Sequence, residues 1–179
     1  MRLSEPRLAP LGDEQLPDQV KEVFREGPIL NIFRTLAHHP DLMRRWLPFG
    51  NHVLAKSTLP ARERELVILR IGWLCRAGYE WGQHVLVGLA SGLRQEEIDR
   101  IPTGSKAEGW NELDRALLDA TDELHADAFV SDATWERLDE LDPQQRIDLV
   151  FTVGQYNLVS MALNTLGVQP EPGLPSLPE

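Results

Sequence analysis

The sequence predicts an all-α protein, a bundle of several helices around a central antiparallel helix hairpin. Three observations predict this class. Apolar residues recur at the three- and four-residue spacing of one helix face. Polar capping residues or proline precede these segments, and glycine ends several of them, as is typical of helix starts and stops. No segment shows the sustained apolar–polar alternation of a half-buried strand.

Helices alternate with short breaks through the first half of the chain. Thr58 and Pro60 give a helix-start signal before a run that is apolar nearly all round, which indicates a helix buried on several sides. The helix before it is amphipathic, with Leu42, Trp46, Phe49 and Val53 on one side. The helices predicted in this half cover 17–25, 31–37, 41–56, 60–76, 79–91 and 94–101.

The second half of the chain follows a polar connector over 102–109. Its last helix is apolar and long. Asp142 with Gln145 forms a capping-box start for this helix, and Gly167 is its stop. Trp135 of the preceding helix is expected to face the core. The helices predicted in this half cover 111–126, 131–141 and 146–166.

The chain length of 179 residues fits one domain with a sizeable core. We expect a single all-α domain over 17–168. Residues 1–16 are rich in proline and have no periodicity, so they are expected to form an extended N-terminal arm. Residues 169–179 have the same character and are expected to form an extended C-terminal tail.

The composition excludes several functions. A formal net charge of -10 argues against nucleic acid as a partner, because binding phosphates needs a surface of lysine and arginine. No apolar run is long enough for a membrane span, and the N-terminus lacks the apolar core of a signal peptide. The single cysteine excludes an internal disulfide. We therefore expect a cytoplasmic protein that acts on a small molecule.

The candidate chemistry lies in the segment 58–92. Glu80 and His84 are four residues apart, so a helix places them on one face. A hairpin folded near Gly78 could bring Glu65 towards this pair. Two carboxylates and an imidazole in apolar surroundings form a proton-transfer set. Each glutamate could instead be a first-turn carboxylate that the helix dipole favours.

Four stretches in and around this segment carry a family pattern. They are Leu59-Pro60-Ala61-Arg62-Glu63-Arg64-Glu65-Leu66, Glu80-Trp81-Gly82-Gln83-His84, Gly92-Leu93 and Glu96-Glu97-Ile98. They resemble the carboxymuconolactone decarboxylase family, which includes the alkylhydroperoxidase D-like proteins, over roughly 31–101. The redox branch of that family carries Cys-x-x-Cys-x-x-x-His after an upstream glutamate. Glu65 and His84 match these positions, whereas Ala77 and Glu80 stand in place of the thiols. Glu80 with His84 matches the Glu-x-x-x-His of the decarboxylase branch.

The resemblance implies acid/base chemistry, such as decarboxylation, isomerisation or lactone chemistry, on a small carboxylate or carbonyl metabolite. His84 would carry the proton, Glu80 would orient and charge-balance His84, and Glu65 would complete the relay. The resemblance also implies an alkylhydroperoxidase D-like bundle that assembles as a homotrimer or a hexamer of trimers. We expect no cofactor and no metal, although Glu80, His84 and Glu65 could in principle ligate a metal ion.

Four further residues are candidates for substrate binding. Arg70 lies inside an apolar run and needs a partner, either a substrate carboxylate or a carboxylate of a neighbouring helix. Trp81 would exclude water from the catalytic pair. Tyr156 and Asn157, with Gln155, are polar groups in an apolar helix. They are either satisfied core groups or part of a pocket wall.

Two other functions stay open. The first is an alkylhydroperoxidase-like antioxidant role, against which the loss of both thiols argues. Cys75 is offset from the thiol positions and is expected to be a buried structural residue. The second is a non-catalytic oligomeric ligand-binding protein in which Glu65 and Glu80 are only structural.

Overall fold

The computed structural model describes residues 2–25 and 27–178 and shows an all-α protein, which confirms the predicted class. Within these residues, no helix combines the length and apolarity that a membrane span requires. A short 3₁₀ helix covers Ile101–Lys106. The α-helices are α1 (Asp18–Val23), α2 (Asn31–Leu36), α3 (Pro40–Ala55), α4 (Ala61–Leu74), α5 (Gly78–Ala90), α6 (Gln95–Arg100), α7 (Glu112–Asp127), α8 (Asp132–Glu136) and α9 (Pro143–Leu166).

Helix α4 is the centre of the fold. Its residues from Glu65 to Gly72 are all buried, and α5, α7 and α9 pack against it. A helix covered on several sides must be apolar nearly all round. This explains the continuous apolar run of the sequence, and it means that the charged groups within α4 need partners from neighbouring helices.

The turn between α4 and α5 forms the predicted hairpin. Helix α4 ends at Leu74 rather than at Arg76, because Arg76 takes a left-handed conformation with a φ of 53°. The N–H of Ala77 donates to the carbonyl of Gly72 over 2.8 Å. This bond satisfies a carbonyl that the helix end would leave unpaired. Helix α5 then packs along α4.

Helix α9 begins and ends as the sequence predicts. The Asp142 carboxylate accepts from the N–H of Gln145 over 2.9 Å, and the Gln145 side chain accepts from the N–H of Asp142 over 2.9 Å. Gly167 closes the helix in the left-handed region, with a φ of 73°. The residues between these caps place one side of α9 against α4.

Two local predictions about capping and connection are wrong. Thr58 does not cap α4, because its N–H and its hydroxyl both donate to the Asp148 carboxylate of α9, over 2.5 and 2.7 Å. The connector predicted over 102–109 contains most of the 3₁₀ helix. Thr58 therefore links the segment before α4 to α9 instead of capping α4.

The prediction for 131–141 is also wrong in two respects. Helix α8 ends at Glu136, well before residue 141. Trp135 is 41% exposed rather than directed into the core. It lies under the guanidinium of Arg146, whose Cζ is 4.9 Å from the ring centroid, and this cation–π contact occupies one face of the indole.

The apolar side of α3 is only partly covered. Val53 is buried, whereas Leu42 and Phe49 are 53% and 40% exposed. Phe49 packs edge-on against Phe151 of α9, with ring centroids 6.1 Å apart. Helices α3 and α9 therefore form one apolar surface, and part of it is exposed to solvent in the single chain.

The two ends of the chain run over the helices. The N–H of Arg7 donates to the carbonyl of Leu166 over 2.9 Å, which places the N-terminal arm at the end of α9. The C-terminal tail crosses α5 at Gly82, where a Cβ would lie 2.9 Å from the carbonyl oxygen of Pro175. Only glycine permits this approach. The division of the chain into arm, domain and tail stays a prediction.

Candidate active site

A buried glutamate and a buried histidine are joined across the central hairpin. Glu65 lies in the first half of α4, and His84 lies in the middle of α5. The Oε2 atom of Glu65 is 2.7 Å from Nδ1 of His84. The side chains are 0% and 11% exposed respectively. The hairpin thus brings together two of the residues that the sequence singled out.

Glu65 has a cationic neighbour as well. The Nε–H of Arg64 donates to Oε1 of Glu65 over 3.2 Å. A Glu65 carboxylate held between these two partners accepts on both oxygens, so the Nδ1–H of His84 is a donor. In the neutral imidazole, Nε2 is then the basic nitrogen. It is the nitrogen left for a bound molecule.

Glu80 bonds to a different partner from the one expected. The hydroxyl of Ser160, on α9, donates to Oε1 of Glu80 over 3.2 Å. A helix side chain leans towards the N-terminus of its helix, so Glu80 lies over the turn before it, close to Gly72. The expectation was that Glu80 orients His84. In the structure, Glu65 makes that hydrogen bond.

The environment of Glu80 favours its protonated form. Burial raises the pKa of Glu80 well above 4.5, the hydrogen bond from Ser160 opposes this rise, and the negative charge of Glu65 adds to it. Within the described residues, Oε2 of Glu80 is buried and has no hydrogen-bond partner. A carboxyl group whose pKa is raised in this way can carry a proton and donate it to a ligand oxygen.

A cavity of about 700 Å³ opens beside these groups, and we call it the site cavity. This volume suits a small molecule. Glu65 is not among the lining residues, so it lies behind His84 as seen from the cavity. The polar lining residues are Tyr79, Glu80, Gln83, His84, Gln155 and Tyr156, with Arg44 and Asn51 on α3.

Tyr156 is the predicted binding residue that does line the site cavity. Its ring packs edge-on against the imidazole of His84, with centroids 4.9 Å apart. Burial raises the pKa of Tyr156 well above 10.0, and the charges of Glu80 and Glu65 raise it further. Tyr156 is therefore a neutral wall residue that fixes the plane of the imidazole.

Arg70 does not line the cavity, and the structure contradicts its interpretation as a substrate anchor. Its Nε and Nη2 atoms donate to the two oxygens of Asp122, each over 2.6 Å. Its Nη1 atom donates to the carbonyls of Ile101 and Pro102 over 2.7 and 3.0 Å. Two nitrogens thus form the structural ion pair that was the alternative interpretation, and the third donates to backbone carbonyls.

Trp81 and Asn157 also lie away from the site cavity. Trp81 is 3% exposed and belongs to the main hydrophobic core, so it shields the hairpin without contacting the cavity. The Oδ1 atom of Asn157 lies 3.1 Å from Sγ of Cys75 and 3.2 Å from Nδ1 of His125. Asn157 and its partners therefore form a separate polar group on the far side of α9.

Sequence reasoning missed Tyr79 and Gln83, which line the cavity one position before Glu80 and His84. The four-residue spacing that selected Glu80 and His84 also relates Tyr79 and Gln83, and it would have found them if neutral residues had been included. Glu171 of the tail accepts from the Tyr79 hydroxyl over 3.1 Å and from the Gln83 amide over 2.7 Å. No local signal predicts that contact, because it joins residues far apart in the sequence.

Cys75 has the environment of a structural residue. Burial raises the pKa of the thiol to about 11, and the negative charge of Glu80 adds to this effect. A thiol of this pKa is almost entirely protonated at neutral pH, whereas the thiolate is the nucleophile. Among the described residues, no group of three or more His, Cys, Asp or Glu side chains is arranged to hold a metal ion.

The fold and the joined Glu65 and His84 define a helical protein with a buried acid/base pair in its central hairpin. Residues 40–123 match the sequence model of the carboxymuconolactone decarboxylase family. The matched segment runs from α3 to α7 and contains Glu65, Glu80 and His84.

Three solved structures show the same fold. A peroxidase-related protein of Ralstonia eutropha JMP134, described as an alkylhydroperoxidase AhpD core, has a TM-score of 0.81 and 22% identity over 93% of each chain. A peroxidase-related protein from Silicibacter sp. TM1040 has a TM-score of 0.80 and 16% identity over 95% of this chain and 96% of that chain. The debrominase Bmp8, solved in complex with 2,3,4-tribromopyrrole, has a TM-score of 0.77 and 16% identity over 94% of each chain.

At these identities, the likeness to solved structures shows the fold alone. No curated protein matches the sequence. The chemistry of the site must therefore be argued from its own residues.

Proposed function

We propose that this protein is an enzyme that transfers a proton to or from a carbon atom of a small carboxylate or carbonyl compound. Decarboxylation, isomerisation and lactone chemistry all belong to this class. The observation that carries the proposal is the 2.7 Å contact between Glu65 and His84 at the wall of the site cavity. A histidine bonded to a carboxylate on one side and open to a ligand on the other is arranged as a general base.

The three acid/base residues take distinct roles in this proposal. His84 Nε2 takes a proton from the carbon next to a carbonyl group and forms an imidazolium. The carboxylate of Glu65 balances that positive charge. In its protonated form, which burial favours, Glu80 donates a hydrogen bond to the oxygen on which the enolate charge develops.

The same groups serve for decarboxylation. When the bond between a substrate carbon and its carboxylate breaks, carbon dioxide leaves. The electron pair of that bond stays on the substrate as an enolate. His84, which begins this reaction as imidazolium, then donates its proton to that carbon and is reprotonated from water when the product leaves. Glu80 stabilises the enolate oxygen in both directions, so one site can support either reaction.

The alternative of a thiol peroxidase has less support. A pKa of about 11 keeps Cys75 in its thiol form, and it bonds to Asn157 outside the site cavity. The similarity to peroxidase-related proteins is a similarity of fold. The debrominase structure holds 2,3,4-tribromopyrrole, which supports a small-molecule role for proteins of this fold.

The assembly and the location of the protein are further parts of the proposal. We propose a homotrimer or a hexamer of trimers that works in the cytoplasm on small molecules, without nucleic-acid or membrane partners. The outer side of α9 supports assembly, because its large apolar side chains are 54–60% exposed. These side chains are Ile147, Phe151, Leu158 and Met161.

Proton transfer can be tested without knowing the substrate. Ethyl acetoacetate has acidic protons between two carbonyl groups, and their exchange for deuterium is followed by NMR. The wild-type protein is expected to accelerate this exchange. His84→Ala removes the base and is expected to lower the rate by about a hundredfold or more. His52→Ala, an exposed histidine on α3, is the matched control and should leave the rate unchanged.

Two outcomes would contradict the proposal. One is a wild-type protein that does not accelerate exchange, or a His84→Ala variant that is as fast as wild type. The other is turnover of an alkyl hydroperoxide with a thiol donor that disappears in Cys75→Ser, which would establish the peroxidase alternative. A protein that binds ligands without either activity would be the non-catalytic alternative.

A further inference from the structure

A second cavity adjoins the site cavity and has a different character. It has a volume of about 260 Å³ and lies between α2, α3 and α9. Its lining is almost entirely aliphatic, and Thr35 contributes its one hydroxyl group among the described lining residues. We call it the apolar chamber; residues that line it and not the site cavity include Leu36, Leu42, Met43, Leu158 and Ala162.

The two cavities meet at a shared wall. Ile32, Trp46, Val159 and Leu163 line both of them. As seen from the site cavity, the apolar chamber therefore lies directly behind these four side chains. Filling that space with methylene groups is favourable because it removes apolar surface from water.

Two side chains that line the site cavity each hold a buried polar atom without a partner. Within the described part of the chain, the indole Nε1–H of Trp46 and Oε2 of Glu80 are buried and unpaired. A Cβ atom added to Gly50 would lie within 3.5 Å of both the Trp46 ring and the amide nitrogen of Gln155. These two side chains are therefore neighbours at the same point of α3. Buried groups of this kind cost free energy unless a ligand satisfies them. A carbonyl or hydroxyl oxygen would do so.

The charges around the cavity argue against an anionic ligand. Besides His84, Arg44 is the cationic side chain among the described lining residues, and it is 60% exposed beside Asp41. The imidazole of His84 already has Glu65 as its partner. A buried carboxylate would therefore lie near Glu65 without a cation of its own, which is costly.

We infer that the substrate is a neutral amphiphile, with a carbonyl head beside His84 and an alkyl or ring body that extends into the apolar chamber. This inference rests on the proposed function and narrows it, because it selects a neutral carbonyl compound over a small carboxylate. Trp46, Val159 and Leu163 at the shared wall would then determine which substrate shapes pass.

Linear methyl ketones with alkyl chains from propyl to nonyl are suitable test ligands, and isothermal titration calorimetry measures their binding. The dissociation constant is expected to fall by about fourfold for each added methylene until the chamber is full. Linear carboxylates of the same chain lengths are expected to bind more weakly at neutral pH. A flat dependence on chain length, or carboxylates that bind as tightly as ketones, would overturn the inference.

A variant that fills the chamber gives an independent test. Ala162→Phe should abolish the gain from the longer chains and leave the shortest ketone unaffected. Ala133→Phe is the matched control, because Ala133 is an exposed alanine on α8 that lines neither cavity. Leu42→Trp narrows the chamber from its exposed side and replaces Ala162→Phe if that variant does not fold. Unchanged binding of the longest ketone to a folded chamber variant would overturn the inference.

Failure of this inference can be told apart from failure of the proposed function. Calorimetry reports the ligand class, whereas deuterium exchange in ethyl acetoacetate reports proton transfer. Chain-length-dependent binding without exchange would remove the proposed function and, with it, the description of the ligand as a substrate. Exchange without chain-length dependence would leave proton transfer standing and overturn the amphiphilic substrate.

Discussion

Helix α4 holds two groups of buried charge that differ in how completely their partners satisfy them. At its start, Arg62 donates to both oxygens of Asp114, over 2.8 and 3.0 Å, and to Glu97 over 2.7 Å. One turn later, Glu65 bonds to His84, which faces the site cavity beside a carboxyl oxygen of Glu80 that lacks a partner.

The titration behaviour of the two groups follows the same division. Burial alone would raise the pKa of Glu97, but hydrogen bonds from the N–H of Arg94 and from Arg62, together with their charges, hold it below 4.5. Burial raises the pKa of Glu80, and the single hydrogen bond from Ser160 does not offset it. A carboxylate with a full set of hydrogen-bond donors and cations around it stays in its charged form. A carboxylate that lacks such partners can change its protonation.

This difference separates charges that hold the fold from charges that are available to a ligand. Arg70 follows the first pattern, because Asp122 and two backbone carbonyls engage its nitrogens. His84 and Glu80 follow the second. Completeness of partnering thus distinguishes the candidate active site from the ion pairs around it better than burial does, because both groups are buried.

The largest effect on stability is expected from Arg62→Ala. The side chains of Asp114 and Glu97 are only 3% and 6% exposed, and the variant leaves them without their main cation. The free energy of unfolding should fall by about 3–5 kcal/mol. Urea denaturation measures this loss. Arg94→Ala is the control, since Arg94 is 67% exposed, and it should cost about 0–1 kcal/mol. Equal losses in the two variants would break the comparison.

Glu80→Gln is expected to have an intermediate effect that depends on pH. The pKa of Glu80 is higher in the folded than in the unfolded chain, so its protonation stabilises the fold. This contribution is complete below pH 4.5 and is lost as the pH rises towards the folded pKa. Glutamine does not titrate, so the variant should lack this loss.

Urea denaturation of wild type and Glu80→Gln between acidic and mildly alkaline pH tests this prediction. The variant should gain stability relative to wild type as the pH rises. Glu96→Gln, at an exposed position on α6, should follow the wild-type curve. Parallel curves for wild type and Glu80→Gln would mean that Glu80 is as well satisfied as Glu97, and the distinction between the two groups would fail.

The smallest effect is expected from Glu171→Gln, in the tail. Glu171 accepts from the N–H of Asn31 over 2.7 Å and from the side chains of Tyr79 and Gln83. Glutamine keeps one acceptor oxygen, so the loss of stability should be about 1 kcal/mol. Amide hydrogen exchange at Asn31 should accelerate, while the exposed control Glu5→Gln leaves it unchanged. Unaltered exchange in Glu171→Gln would show that the tail does not hold the start of α2.

Much of the fold could be predicted from the sequence because it depends on local signals. The apolar run from Leu66, the capping box at Asp142 and the stop at Gly167 each fix a helix with short-range interactions. Thr58 shows where this fails. Its sequence context is that of a cap, but a carboxylate from a distant helix accepts hydrogen bonds from its N–H and its hydroxyl instead.

The site was predictable only in part. The family pattern indicated Glu65, Glu80 and His84, and the hairpin does bring Glu65 to His84. The partner of Glu80 and the role of Arg70 depend on which residues of α7 and α9 pack opposite them, and helical periodicity carries no information about that.

The close passage of the tail over Gly82 has a consequence for the order in which the molecule matures. Residues 171–175 leave the ribosomal exit tunnel after α4 and α5, because they follow these helices in the chain. Until then, Gln83 and Tyr79 lack the carboxylate that holds them, and Gly82 faces water instead of Pro175. The nascent protein therefore completes this wall only after the central hairpin can form.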